Sequence, residues 1–253
     1  MNVPNTHDIF RPVIIAHRGL HQAHPENSLG AFAAAWGAGM EWCECDVRYS
    51  RDGVAMVMHD ETVDRTTTGS GAVHELESRQ MRRMKLVDAA GRVTAGGVPT
   101  LDEVLQIMPT GCGLMIEFKE VVTRAQLLEV RRGGGSCPVL VQSFHDENMA
   151  LFEEIFGAMR FALLIESAEG LARAVGGECR MLHVNHRLVD HAVALQIRGA
   201  NKSLGLWTVN EAAELRRVMV EGAERIITDE PVLAKKIWRE LARTDEAGGD
   251  DGE

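Results

Sequence analysis

A (β/α)8 barrel with a small insertion after the second strand is the fold this 253-residue chain predicts, and three observations predict it. Short apolar runs alternate with longer segments of helical periodicity, about eight times over. The runs are too uniformly apolar for a sheet with one face in water, so the sheet should be parallel and covered by helices. The length suits a single barrel, a fold of about 250 residues. An open doubly wound sheet competes for the same elements.

In chain order the strand candidates are VIIAH (13–17), WCECDV (42–47) with VAMVMHD (54–60), GLMIEFK (113–119), PVLVQSF (138–144), FALLIE (161–166), MLHVN (181–185), LGLWTV (204–209) and RIITD (225–229). Amphipathic helices separate them: NSLGAFAAAWGAG, TLDEVLQIM, TRAQLLEVRR, DENMALFEEIFG, AEGLARAV and EAAELRRVMVEG. Several open on Ser, Thr or Asp at the N-cap, and Thr100 with Glu103 forms a capping box. The irregular piece is 61–98, polar and rich in Gly and Thr, where a barrel has a short loop. It reads as an insertion at the active-site end, where long ordered loops are usually functional. Gly69 and Gly71 fit its turns. No sequence repeat or interior linker is evident, so residues 1–243 read as one domain. Residues 244–253, TDEAGGDDGE, hold five acids and no base and read as a solvated, disordered tail.

Composition excludes some function classes. Apolar residues make up 45% and charged residues 25%, ordinary for a globular protein with a sizeable core. The net charge is −10, with no basic run and 5% aromatics, which argues against a nucleic-acid surface. No window approaches the roughly 18 apolar residues of a transmembrane helix, so no stable membrane insertion is expected. Five cysteines without an export signal suggest free thiols in a reducing cytoplasm. Cys112, Cys137 and Cys179 are isolated and read as packing or surface residues. The oligomeric state is not set by the sequence.

Active residues of a barrel sit at the C-terminal ends of its strands. Those ends carry His17 and Arg18, then Glu44 and Asp46, then His59 and Asp60, then Glu117 and Lys119. Strand alternation puts Glu44 and Asp46 on one face, and Glu117 and Lys119 on one face likewise. Cys43 and Cys45 then face the helices, as small buried hydrophobes. Three carboxylates converging without partners would be costly, and a bound divalent cation explains them best. All-oxygen ligation favours Mg2+ or Ca2+ over zinc. Each element has a plainer reading when taken alone. His17 could be a structural histidine, Glu117 with Lys119 an in-sheet ion pair, and ExD a chance match.

The joint pattern resembles the glycerophosphodiester phosphodiesterase family. The resemblance is carried by HRG, PEN followed by Ser, ExD, DG with an apolar pair and HD, and DRTTTGSG. PTLDEVL, IEFK, VQSF, WTVN and ITDEP follow in the family's order, so that it spans about 14–231. It implies a (β/α)8 barrel with an insertion after the second strand. It also implies hydrolysis of small glycerophosphodiesters, such as glycerophosphocholine or glycerophosphoethanolamine, to glycerol 3-phosphate and an alcohol. On that resemblance Glu44, Asp46 and Glu117 would hold the metal, and His17 and His59 would be the acid–base pair. Histidine can fill either role near neutral pH. Arg18 and Lys119 would stabilise the charge that develops on the phosphoryl oxygens. Trp207 would pack against the glycerol carbons, core packing being its other reading. Asn27 would fix the loop after His17, reach the substrate, or cap the next helix. Strand ends IESAEG and VNHRLVD match the family least, so the resemblance leaves the alcohol end of the substrate open there.

Two other functions fit the fold. A phospholipase D-like barrel would act on lysophospholipids or sphingomyelin at a membrane. A non-catalytic barrel binding glycerophosphodiesters would be expected to lose a ligand or a histidine, and none of the five is missing.

Overall fold

The structure is a computed structural model and describes residues 11–248, with side chains through residue 243. Its strands are β1 (Val13–Ala16), β2 (Trp42–Tyr49), β3 (Ala55–Val57), β4 (Gly113–Phe118), β5 (Val139–Ser143), β6 (Phe161–Ile165), β7 (Met181–Asn185), β8 (Ser203–Trp207) and β9 (Arg225–Thr228). Every one except β3 is parallel to its neighbours, and β1 pairs with both β9 and β2. That double pairing closes an eight-stranded barrel and leaves no open edge, so the doubly wound sheet is excluded.

Alternation along the strands builds two cores. Ile15, Met115, Leu140, Ala162, Met181 and Ile227 fill the lumen. Cys43, Cys45, Leu114, Ile116 and Val141 face outward into a cluster with Phe32, Leu101, Val104 and Phe152 of the surrounding helices. Each large apolar side chain buried this way contributes about 1.5–3 kcal/mol. The helices are α1 (Leu29–Gly37), the short α2 (Ser78–Met81), α3 (Leu101–Ile107), α4 (Arg124–Gly134), α5 (Met149–Phe156), α6 (Ala168–Gly176), α7 (His191–Gly199), α8 (Ala212–Val220) and α9 (Pro231–Gly248). Thr100 and Glu103 make the reciprocal capping bonds that start α3. The cap of α1 is Ser28, which accepts from the Ala31 amide, so Asn27 does not fill that role.

VAMVMHD is not a barrel strand. β2 continues past its neighbours, turns at Gly53 (φ 78°), and β3 returns antiparallel against Val47–Tyr49. The hairpin leads the chain back to the barrel mouth, where the Met58 amide bonds the Asp46 carbonyl and His59 follows. The piece after it is held by isolated bridges and by a core of its own, Met56, Met58, Val63, Val73, Met81, Leu86 and Val98. Gly69 fits because a side chain there would run into Met84.

The acidic end differs in part from its expectation. Residues 244–248 continue α9, because extending a formed helix adds one hydrogen bond per residue without a new nucleation cost. Residues 249–253 lie outside the described residues. No helix among the described residues is long and apolar enough to cross a membrane.

Candidate active site

The loop after β1 is the tightest part of the rim. Arg18 and Asn27 both adopt left-handed backbone, at φ 55° and 56°. For Arg18 that conformation costs about 1–2 kcal/mol, offset by its amide donating to Glu44 Oε2 at 3.0 Å. Gly19 follows at φ 81°, where a β-carbon would sit 2.6 Å from the Ala31 backbone. The chain is therefore bent sharply just beyond β1, and His17 is presented at the mouth.

Glu44 and Asp46 of β2 and Glu117 of β4 point into the barrel, with one oxygen of each within 4.8 Å of the others. All three are buried. Burial, with Asp46 and Glu117 beside it, pushes the Glu44 carboxyl well above its usual range. Burial and Asp46 likewise push Glu117 up to about 7. Burial would raise Asp46 too, but Arg18, Lys119 and the two imidazoles overcome it and hold it at about 2. Glu44 Oε1 and Asp46 Oδ1 are buried without a hydrogen bond. Two buried carboxyl oxygens without a hydrogen bond, in an all-oxygen set of three, are the donor chemistry of a hard divalent cation. The group can hold a metal ion.

The cations at the rim are engaged with these acids. Lys119 Nζ bonds Glu117 and lies 3.5 Å from Asp46 Oδ1, so the ion-pair reading of Glu117 is also realised. Arg18 Nη1 bonds Glu26 at 2.9 Å, and its Nε lies 3.1 Å from Asp46 Oδ2 without hydrogen-bond alignment. Asn27 Nδ2 donates to Asp46 Oδ2 at 2.8 Å, and Asn27 Oδ1 accepts from the Asp46 amide at 3.3 Å. Asn27 is thus buried behind the carboxylates and does not line the cavity.

Both histidines anchor Nδ1 on a carboxylate. His17 Nδ1 lies 2.6 Å from Asp229 Oδ1, and His59 Nδ1 lies 2.7 Å from Asp60 Oδ1. A carboxylate only accepts, so each Nδ1 carries a proton and each Nε2 is left for chemistry. Asp229 also takes His21 Nε2 at 2.9 Å and Asn210 Nδ2 at 2.6 Å. Asp60 is gripped by Arg65 at 2.5 and 3.0 Å, and Arg65 continues to Glu26. Burial, with the Arg18 and Lys119 charges, lowers the proton affinity of His59 below the ordinary histidine value.

A cavity of roughly 280 Å³ joins these groups, lined by His17, Arg18, Glu44, His59, Glu117 and Lys119. Its far wall is Gln142, Phe144, Leu164, Glu166, Trp207 and Thr208. Trp207 stands edge-on to Phe144 at 5.5 Å, and its Nε1 donates to the His183 carbonyl at 2.8 Å. Eight of the nine residues expected at the site therefore meet at the mouth or directly beneath it, with Asn27 one layer behind. Asp229, His21, Asp60, Glu26 and Arg65 were not assigned roles from the sequence. The rim rule could have found Asp229, since it ends the last strand and closure sets that strand beside the first.

A closed parallel barrel with a buried carboxylate group between two anchored imidazoles has the parts of a hydrolytic site, two groups that can move a proton and three that can hold a cation. Comparison with known proteins gives the particular family. The family model for the glycerophosphoryl diester phosphodiesterase family matches residues 17–233. The glycerophosphodiester phosphodiesterase of Bacillus altitudinis is 28% identical, covering 90% of this chain and 98% of its own. The solved glycerophosphodiester phosphodiesterase of Thermotoga maritima superposes with a TM-score of 0.72 at 26% identity, covering 90% of this chain and 99% of that one. A phosphodiesterase of Oleispira antarctica, solved with the product sn-glycerol-3-phosphate, superposes at 0.78 with 23% identity over 89% of this chain and 96% of that one. The chain belongs to the glycerophosphoryl diester phosphodiesterase family, and it is a phosphoric diester hydrolase.

Proposed function

We propose that the protein hydrolyses small glycerophosphodiesters, such as glycerophosphocholine and glycerophosphoethanolamine, to glycerol 3-phosphate and an alcohol. The observation that carries this reading is the pair of Nδ1-anchored imidazoles facing one cavity beside the buried carboxylates. The product held by the Oleispira protein supports it. A divalent cation, Mg2+ or Ca2+, would be held by Glu44, Asp46 and Glu117 and would supply positive charge for the phosphoryl oxygens.

The remaining chemistry belongs to the side chains. His59, with its lowered proton affinity, is unprotonated near neutral pH and accepts the proton of the attacking oxygen at Nε2. His17 donates from Nε2 to the departing alkoxide, and Asp229 fixes its tautomer and orientation. Arg18 and Lys119 line the cavity where the transition state gains negative charge. Trp207 supplies a flat apolar wall for the glycerol carbons. Asn27 acts one layer back, holding Asp46 in place. Five free thiols support a reducing, cytoplasmic setting.

The test is release of glycerol 3-phosphate from glycerophosphocholine by the purified protein. Activity should vanish with EDTA and return with Mg2+ or Ca2+. His17→Ala and His59→Ala should each lose at least about 100-fold, the contribution of one general acid or base. A fully active double variant would end the mechanism. Turnover of lysophosphatidylcholine alone would favour the phospholipase D-like alternative.

A further inference from the structure

One polar pair in the lumen has no part in the mechanism above. Gln142 on β5 is level with Glu117 and lines the cavity. His183 on β7 is completely buried, and its Nδ1 lies 2.6 Å from Gln142 Oε1. The ring has room only because its neighbour on β8 is Gly205, where a β-carbon would overlap it.

Hydrogen-bond accounting fixes the direction of this contact. His183 Nε2 is buried with no partner. If Nε2 carried the proton, a buried N–H would be orphaned, and orphaned donors are rarer than under-satisfied acceptors. With the proton on Nδ1, that nitrogen donates to Gln142 Oε1 and only a lone pair is left unused. Burial keeps the ring neutral, holding its pKa down at about 3. The Gln142 oxygen is therefore occupied. Its Nε2 has two N–H groups and no hydrogen bond among the described residues, on a side chain 2% exposed that faces the cavity.

We propose that Gln142 is a substrate-binding residue whose amide donates to a phosphoryl oxygen of the bound diester, and that His183 is the positioning residue that keeps the amide turned that way. The proposal rests on the phosphodiesterase reading given above. The chemistry selects the phosphoryl oxygen: a group reduced to donor alone suits a ligand atom that only accepts. An amide free to flip would present Oε1 to an anion, which repels it. His183 prevents the flip from a place the substrate does not reach.

The experiment compares Gln142→Leu, His183→Leu and the double variant. It measures kcat/KM on glycerophosphocholine and the inhibition constant of glycerol 3-phosphate. A hydrogen bond to a charged group is worth about 1.5–3 kcal/mol, so Gln142→Leu should lower kcat/KM at least about tenfold and weaken glycerol 3-phosphate similarly. His183→Leu should show a smaller loss in both. The double variant should match Gln142→Leu alone, because His183 acts only through Gln142. An active parent with unchanged constants in Gln142→Leu would overturn the donor. Fully additive losses in the double variant would overturn the positioning role. A parent inactive on every glycerophosphodiester would instead overturn the phosphodiesterase reading, and the donor would then be judged on binding of glycerol 3-phosphate to the parent and Gln142→Leu by calorimetry.

Discussion

His17 and His59 share a residue type and a cavity, and they are told apart by what holds the far nitrogen. Asp229 meets His17, His21 and Asn210 and forms no pair with Arg or Lys among the described residues. It can stabilise an imidazolium at His17, as the proposed acid role requires. Asp60 is neutralised by the two-point grip of Arg65, so His59 gains less from its carboxylate. Burial and the nearby cations then lower the proton affinity of His59. A base works unprotonated, so activity falls as pH drops through its pKa. The acid limb of kcat/KM should therefore lie below the ordinary histidine value of about 6.5. Asp60→Asn removes a contact that raises that pKa, so the limb should move to lower pH. It should also lower kcat/KM at least about tenfold, by loosening the tautomer. A pH–rate profile from 5 to 9 checks both, and a limb above pH 7 in the parent would reverse the roles of the two histidines.

At the scale of the element, β2 shows how much alternation can carry. Its inward residues Glu44 and Asp46 belong to the mouth, and Cys43 and Cys45 between them are packed among the outer helices. Burial drives both thiols far above their ordinary range, so they are neutral and unreactive. Replacing both with Ala should leave divalent-cation affinity unchanged by calorimetry, while costing stability through the small cavities left behind, about 1–3 kcal/mol in total. A lost cation site in a folded double variant would return the chemistry to sulfur. The same alternation made the barrel, its rim and the carboxylate pair legible in the sequence, because a period of two survives any tertiary context. Strand direction has no such signature, and the three residues of β3 read alike as a barrel strand or as a returning hairpin. Asn27 was named from the sequence, but its role behind Asp46 was hidden because its left-handed backbone and its bond to that carboxylate depend on the fold. The Gln142–His183 pair was hidden because two strands from different parts of the chain must face each other across the lumen before it exists.

Closure of the whole barrel is what assembles the site. It sets β9 beside β1, which brings Asp229 to His17, while the insertion sends Arg65 through Glu26 and Arg18 to Asp46. The same closure forces Glu44, Asp46 and Glu117 together in a place water hardly reaches, and this couples fold stability to pH and to the cation. Glu44 and Glu117 have folded-state pKa values above their unfolded ones, Glu117 at about 7. Across the window from about 4.5 to 7 these two groups hold more protons in the folded protein than in the unfolded chain. The contribution of these two groups therefore falls as pH rises through that window. A cation held by the carboxylates competes with those protons and relieves the same repulsion, so its stabilisation must grow in the direction in which theirs is lost. At one fixed free Mg2+ or Ca2+ concentration, the rise in melting temperature over an EDTA control should be small at pH 5 and large at pH 8. Using the difference removes other titrating groups, such as His183, which lose stability as pH falls below about 6.5 in both arms. Glu44→Gln should shrink the rise at pH 8. A rise independent of pH would remove Glu44 and Glu117 from the ligand set, whatever the enzyme turns over.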